Sequence, residues 1–178
     1  IDLDNFKTVN DTLGHAVGDA LLKMVSGRIT EVANNSDFIV RLGGDEFAVL
    51  RMFEGGENKE EMIAQVNKLA DDIKQTILRP FLLESHDIQL GVSIGITYFN
   101  SGDIDWENTF HEADLAMYEA KISNKNGIKV FCEDIRSRHS RIYQMQTLLN
   151  QAIENNEFYL NIQPQYDAEQ RIVGAEAL

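Results

Sequence analysis

The spacing of apolar residues changes several times along the chain and predicts a series of helices and strands. Apolar side chains recur every three or four residues in three stretches, which are predicted as helices: 17–33, 62–77 and 106–124. Runs rich in β-branched and aromatic residues lie between them and are predicted as strands: 37–42, 46–53, 88–99 and 127–131. Strands that alternate with helices predict an α/β fold with a mixed central sheet flanked by helices.

Two glycines, Gly43 and Gly44, join the first two of these strands and predict a hairpin. The carboxylates of Asp45 and Glu46 follow directly and are expected at the tip of the hairpin. A solvated turn needs no such pair of adjacent negative charges, so the pair indicates that a cationic group binds there.

A second acidic cluster, Asp2 and Asp4, lies in the segment IDLD. We predict that this segment is the last part of a strand whose earlier part is missing from the sequence. Ligands of α/β sheets gather near such strand ends. If the two clusters meet in space, their oxygen ligands suit hard divalent cations and two-metal nucleotidyl transfer. In the simpler alternative, Asp2 and Asp4 cap the next helical turn and the hairpin carboxylates are solvated.

The pattern changes near residue 133. A polar helix with a thin apolar stripe is predicted for 133–156, followed by two strands at 157–167 and 171–178. We therefore predict a first domain of 1–132, a connector helix, and the beginning of a second domain at 157–178. The strand near 158–163, or a strand from a second copy of the chain, is expected to pair with the sheet beside the short first strand.

The chain has 178 residues and a net charge of -13, from 16 basic and 29 acidic residues. This charge disfavours nucleic acid as a partner, because phosphate binding needs a basic surface. Cys132 is the single cysteine, so no internal disulfide is expected and a reducing compartment is indicated. No apolar run approaches the roughly 20 residues that span a membrane, so we predict no membrane contact.

Four motifs of the first 131 residues resemble those of the GGDEF family of diguanylate cyclases: IDLDNFKTVNDTLGHAVGDALL, RLGGDEFAVL, VSIGIT and ADLAMYEAK. The tail FYLNIQPQYDAEQRIVGAEAL resembles the opening of an EAL phosphodiesterase domain. The resemblance implies a palm-like, nucleotidyl-cyclase fold with a mostly antiparallel sheet and the GGDEF motif on the hairpin. It also implies a parent protein that combines GGDEF and EAL domains.

The resemblance implies an enzyme that condenses two GTP into cyclic di-GMP and releases two pyrophosphates. Each domain holds one GTP, so a second GGDEF domain is the expected partner, and Mg²⁺ or Mn²⁺ is the expected cofactor. Asp2 and Asp45 match the metal carboxylates, and Leu3 matches a position that gives its backbone carbonyl to the metal. Asp45 and Glu46 are the expected catalytic residues.

Further residues match positions that contact GTP in the family. Gly43 and Gly44 let the backbone approach the triphosphate, which a side chain would block. Asn10 and Asp19 match the pair that binds guanine, since an amide and a carboxylate can pair with its edge. Three residues match positions beside the phosphates: Phe6, Lys7 and Lys121.

Two positions depart from the family pattern. Lys125 stands where an arginine is usual, which keeps the charge but loses the bidentate fork, so phosphate binding is expected to weaken. The family's product-inhibition motif is Arg-x-x-Asp, and here Asn34 replaces the arginine while Asp37 is kept. We therefore expect no feedback inhibition at this site.

The alternative function is a catalytically weak or inactive GTP-binding regulatory domain that controls a C-terminal EAL phosphodiesterase. The intact GGDEF motif favours the enzyme, whereas Lys125 slightly favours the regulator. In either case a cytoplasmic location is expected, or the cytoplasmic side of the membrane for the parent protein.

Overall fold

The computed structural model describes residues 1–53, 58–83, 86–100, 102, 104–123 and 126–178. The chain divides into two compact units, Ile1–Arg136 and Ser137–Leu178. The border between the units falls inside a long helix, α5 (Glu133–Glu154). The domain borders predicted from the sequence pattern, with a first domain of 1–132, stay a prediction. Among the described residues, no helix has the length and apolar character that a membrane span requires.

The first unit contains seven strands and four complete helices among its described residues. The strands are β1 (Asp2–Asp4), β2 (Phe38–Gly43), β3 (Glu46–Leu50), β4 (Phe81–Leu83), β5 (His86–Ile88), β6 (Gly91–Ile96) and β7 (Ile128–Val130). The helices are α1 (Phe6–Leu13), α2 (His15–Val32), α3 (Lys59–Leu78) and α4 (Trp106–Ser123).

Five strands form the main sheet, in the order β2-β3-β1-β6-β7. The β2–β3, β3–β1 and β1–β6 pairs are antiparallel, and the β6–β7 pair is parallel. The predicted fold class, a mixed and mostly antiparallel sheet flanked by helices, is confirmed. Strand β1 lies in the middle of this order, so residues at its ends adjoin both the hairpin and β6.

Helices cover both faces of the sheet. The main core joins Ile94 of β6 to the buried apolar stripes of α2 and α3, which include Val25 and Ile73. Gly95 faces the other way, because side chains alternate along a strand. A Cβ on Gly95 would overlap the backbone of α4, so this glycine allows α4 to pack directly on the opposite face.

The structure differs from the sequence-based prediction in several elements. Helix α1 was not predicted, because its eight residues bury just one side chain, Phe6. The β4–β5 hairpin was also missed, since strands of three residues are too short to show a period. It divides the strand predicted at 88–99, so that β6 begins at Gly91. The helical spacing of 106–124 also predicts that Phe110 faces the core, and this prediction was wrong, because Phe110 is 49% exposed.

The second unit contains most of α5 and a hairpin of β8 (Ile162–Tyr166) and β9 (Ile172–Ala177). These strands pair antiparallel with each other and form a separate two-stranded sheet. The expectation that the segment near 158–163 joins the main sheet was therefore wrong. Its partner strand lies only a few residues away in sequence, which makes the local hairpin the less costly pairing. A strand supplied by a second copy stays a prediction.

A buried ion pair closes the open end of the β2–β3 hairpin. Arg51 donates from Nε and Nη2 to the two carboxylate oxygens of Asp37, at 2.8 and 2.6 Å. The Asp37 side chain is fully covered and that of Arg51 is 11% exposed. Asp37 also accepts from the backbone N–H of Asn34. Burying two charges is tolerated here because the geometry is bidentate and a further hydrogen bond is made.

We predict that Asp37→Asn lowers the free energy of unfolding by about 3 kcal/mol, because it leaves a buried guanidinium without its counter-charge. Urea denaturation measures the change. The matched control is Asp72→Asn, which breaks the exposed pair of Lys68 and Asp72 and is expected to cost less than about 0.5 kcal/mol.

The same pair makes stability depend on pH. The hydrogen bond from Arg51 lowers the pKa of Asp37. The stabilisation is therefore complete above the unfolded-state pKa of about 4 and is lost as the pH falls through the lower, folded-state pKa. We expect the stability difference between wild type and Asp37→Asn to shrink below about pH 4. A difference that stays constant down to acid unfolding would contradict this account.

Candidate active site

The two acidic clusters meet because β1 pairs with β3. Asp2 lies opposite Glu46 in the antiparallel register. The Leu3 N–H donates to the backbone oxygen of Asp45 at 3.3 Å, and the Phe47 N–H donates to the Ile1 oxygen at 2.9 Å. Residues more than 40 positions apart in the chain are thus neighbours at one end of β1. The spatial condition on which the two-metal hypothesis rested is met.

The GGDEF hairpin turns at its two glycines. Gly44 has φ 52°, a left-handed backbone conformation that glycine adopts without steric cost. Arg41 holds the turn by donating from Nε and Nη2 to the Gly44 oxygen, at 3.0 and 2.7 Å. Among the described residues, none lies within 4 Å of a Cβ placed on Gly43 or Gly44. The turn therefore leaves open space beside Asp45, as an approaching triphosphate requires.

Lys121 adds a positive charge to this acidic end of the sheet. Its Nζ lies 2.7 Å from Oδ2 of Asp2. Asp2 as a whole residue is 5% exposed. Burial acts to lower the pKa of Lys121, but the hydrogen bond to Asp2 and the charges of Asp2, Asp45 and Asp4 outweigh it and raise the pKa. The lysine is thus held as a cation by the same carboxylates that are expected to bind a metal.

The second aspartate of β1, Asp4, has neutral partners. Its carboxylate accepts from Ser93 Oγ at 3.1 and 3.2 Å and from the backbone N–H of Asn126 at 3.1 Å. The Asn126 side chain accepts in turn from the Val92 N–H at 2.9 Å. A Cβ on Gly91 would overlap this side chain. The Asp4 carboxylate therefore positions Asn126, and both of its oxygens already accept hydrogen bonds.

The sequence-based reasoning did not identify the roles of Asn126 and Ser93. The one signal for Asn126 was the Asn-Gly dipeptide at 126–127, which is typical of a turn with positive φ. Asn126 indeed has φ 67°. Ser93 carried no signal, because a serine inside an apolar strand shows its partner only when the neighbouring strand is known.

The predicted guanine-binding pair lies where α1 meets α2. The Asn10 amide is packed against Gly18, so closely that a Cβ on Gly18 would overlap Oδ1 of Asn10. Asp19 is the next residue and is exposed. The turn between the helices is made by Gly14, whose φ is 88° and whose N–H donates to the Asn10 oxygen. The structure therefore brings both predicted residues to one helix junction.

The residues predicted beside the phosphates are placed differently from one another. Lys7 is exposed on the first turn of α1, where it is free to reach a ligand. The Phe6 ring is 5% exposed and belongs to the core, so just the backbone of Phe6 is available. Lys125 lies outside the described residues.

The residues at the end of β1 fit a hard divalent cation. They offer carboxylate oxygens from Asp2 and Asp45 and the carbonyl of Leu3, and Mg²⁺ takes few protein ligands because phosphates and waters complete its shell. In the described part of the chain, no group of three or more His, Cys, Asp or Glu side chains is close enough to bind a metal by itself. The ammonium of Lys121 at 2.7 Å shows that the Asp2 position accommodates a cation.

Comparison with known proteins gives related sequences over the whole chain. YkoW, a signaling protein of Bacillus subtilis, is 36% identical over 179 residues, covering 100% of this chain and 22% of YkoW. The bifunctional diguanylate cyclase/cyclic di-GMP phosphodiesterase MucR of Pseudomonas aeruginosa is 35% identical over 100% of this chain and 25% of its own length. The diguanylate cyclase DosC of Escherichia coli is 36% identical over 74% of this chain and 27% of DosC. The chain thus spans about a quarter of these relatives.

Solved structures show the same fold. The GGDEF domain of PA1120 from Pseudomonas aeruginosa matches with a TM-score of 0.67 and 33% identity, over 80% of this chain and 78% of that one. An EAL/GGDEF domain protein from M. capsulatus matches with a TM-score of 0.63 and 35% identity, over 74% of this chain and 81% of that one. The model of one family, "Diguanylate cyclase, GGDEF domain", matches residues 1–127. With its GGDEF hairpin beside the Asp2 strand, the chain belongs to the metal-dependent GGDEF family of diguanylate cyclases.

Proposed function

We propose that this chain supplies one half of a diguanylate cyclase, which condenses two GTP into cyclic di-GMP and releases two pyrophosphates. The observation that carries the proposal is the pairing of β1 with β3, which brings Asp2 beside Asp45 and Glu46. Relatives that cover most of this chain, MucR and DosC, are named as diguanylate cyclases. This favours the cyclase over the inactive regulatory domain.

The reaction requires two copies of the site. In cyclic di-GMP each 3′-oxygen is joined to the phosphate of the other nucleotide, so each nucleotide is both attacker and target. A domain that holds one GTP at the end of β1 cannot supply the second nucleotide. We therefore propose that two domains face each other with their GGDEF hairpins and that each domain presents its GTP to the other.

Each residue of the site has a proposed role. Asp2, Asp45 and the Leu3 carbonyl would hold Mg²⁺ or Mn²⁺, which supplies positive charge to the triphosphate and favours loss of the 3′-hydroxyl proton. Glu46 lies opposite Asp2 in the sheet register and adds negative charge beside this group. Lys121 is close enough to the carboxylates to contact phosphates bound there.

Guanine is proposed to bind at the α1–α2 junction. The Asn10 amide offers a donor and an acceptor, and the Asp19 carboxylate accepts from the N1–H and the 2-amino group that adenine lacks. Gly18 makes room for the Asn10 side chain. Selectivity for guanine over adenine then comes from polar groups at the junction that a wrong base leaves unpaired.

The C-terminal segment is proposed to begin an EAL domain. The β8–β9 hairpin places Glu176 opposite Gln163. Both residues are exposed, as are most residues of the two strands. We propose the EAL domain as the partner that covers this hairpin. We also propose a cytoplasmic location, where GTP is available and Cys132 stays reduced.

The proposed function predicts a specific product. Incubation of the purified protein with GTP and Mg²⁺ is expected to yield cyclic di-GMP, which chromatography with mass detection identifies. Asp45→Ala should abolish the product, because it removes a metal-binding carboxylate, whereas Asp87→Ala, an exposed position on β5, should keep it. GTP binding without any product from the wild-type protein would support the regulatory function instead.

The second prediction concerns Gly18→Ala. Its methyl group would displace the Asn10 amide, so GTP affinity is expected to fall roughly fivefold, which corresponds to about one hydrogen bond. The free energy of unfolding should stay within about 1 kcal/mol of wild type, because the gain from a better helix former is offset by the methyl lying 3.3 Å from Cζ of the buried Phe6 ring. Fluorescence titration with a labelled GTP and urea denaturation give the two quantities.

Gly27→Ala is the matched control for this substitution. Gly27 lies on the same helix, and no described residue is within 4 Å of a Cβ placed there. Gly27→Ala should therefore gain up to about 1 kcal/mol of stability, because alanine is the better helix former, and should keep the GTP affinity of wild type. Equal GTP affinities for the two variants would argue against a role for Asn10 in guanine binding.

The third prediction is that cyclic di-GMP does not inhibit through Asn34 and Asp37. Asn34 lacks a guanidinium, and both oxygens of Asp37 already accept from Arg51. Initial rates with added cyclic di-GMP, together with isothermal titration, measure the effect. Inhibition that is relieved by Asn34→Ala would show that this segment binds product after all.

A further inference from the structure

Lys121 and Asp2 form an ion pair at the position where a metal is expected. The Asp2 side chain is 7% exposed, so its negative charge needs a partner inside the protein. In the structure that partner is the Lys121 ammonium, 2.7 Å from Oδ2. A divalent cation bound to the same carboxylate would be within a few ångströms of the ammonium, and like charges at that distance repel.

The Lys121 side chain is partly exposed, whereas the helix that carries it is packed on the sheet. Ala116 and Ala120 on α4 are buried, and Gly95 lets the α4 backbone lie directly on the sheet. The Lys121 side chain itself is 35% exposed. Its flexible four-carbon stem carries a point charge, which exchanges partners more readily than the planar fork of an arginine.

The contrast with Asp4 supports this difference. Asp4 is equally buried, yet it is held by neutral donors, the Ser93 hydroxyl and the Asn126 backbone N–H. Asp2 instead has a charged partner on a partly exposed side chain. The two neighbouring carboxylates of β1 are thus stabilised in different ways, Asp4 by neutral hydrogen bonds and Asp2 by the opposite charge of Lys121.

We propose that Lys121 is a counter-ion of Asp2 that is displaced when the divalent metal binds, and that the released ammonium then contacts the phosphates of the nucleotide. This proposal rests on the proposed function. It makes metal binding and nucleotide binding assist each other through one side chain: the metal releases the lysine, and the phosphates give the released lysine a new partner. The metal alone must compete with Lys121 and therefore binds weakly.

The first test measures Mn²⁺ binding without nucleotide, by electron paramagnetic resonance of the free ion. Lys121→Met is expected to bind Mn²⁺ about fivefold more tightly than wild type, because the competing ammonium is gone. Lys129→Met, an exposed lysine on β7, controls for the loss of one positive charge and should stay within about twofold. Unchanged or weaker Mn²⁺ binding by Lys121→Met would overturn the proposal.

The second test is a double-mutant cycle on the binding of a fluorescent GTP analogue in EDTA. Asp2→Asn should release Lys121 to the phosphates and tighten binding about fivefold. If the lysine carries this effect, Asp2→Asn in a Lys121→Met background should give no such gain. Additive effects would mean that Asp2 acts through the general field alone and would overturn the proposal.

The two tests separate this inference from the proposed function. If the protein binds the GTP analogue but the effects of Asp2→Asn and Lys121→Met are additive, the proposed nucleotide site stands. The proposal that Lys121 exchanges Asp2 for the phosphates is then overturned. Failure of all variants to bind the analogue would overturn the nucleotide site, and the Mn²⁺ experiment then still decides whether Lys121 competes with the metal. Circular dichroism of each variant confirms that the fold is kept.

Discussion

Strand β1 places two carboxylates, Asp2 and Asp4, inside the sheet, where each is 5% exposed. A buried charge is stable only if the protein supplies compensating hydrogen bonds or opposite charge. The groups that meet this requirement come from β6, from the segment after α4 and from α4 itself. The contacts that stabilise these two buried carboxylates therefore link β1 to β6, to Asn126 and to α4.

The compensation takes a rigid form at Asp4 and an exchangeable form at Asp2. Around Asp4, the left-handed backbone of Asn126 and the missing side chain of Gly91 allow a tight set of neutral hydrogen bonds. At Asp2, the ammonium of Lys121 balances the negative charge, and the Lys121 side chain is 35% exposed. A site that binds and releases a charged ligand needs both kinds of contact. The hydrogen bonds of Asp4 keep the strand in place while the Asp2 carboxylate changes its partner.

The GGDEF hairpin contributes shape as much as charge. Its glycines give a left-handed turn with open space, and Arg41 and the Asp37–Arg51 pair hold the hairpin at its tip and at its base. In the family pattern, Asp37 belongs to a product-binding motif. In this chain the Asp37 carboxylate is engaged by Arg51 and stabilises the hairpin.

The sequence by itself determined the local features of this protein. Helical and strand periods located α2, α3, α4 and the hairpin, and the motifs identified the family and the carboxylates, because these signals are carried by residues near one another in the chain. It did not show α1 or the β4–β5 hairpin, whose short segments have no clear period. It also did not show that β8 pairs with β9, because pairing depends on which strands meet in space. Tertiary structure alone decided which partners Asp2, Asp4 and Asp37 have, because the strand order brings together residues up to 122 positions apart.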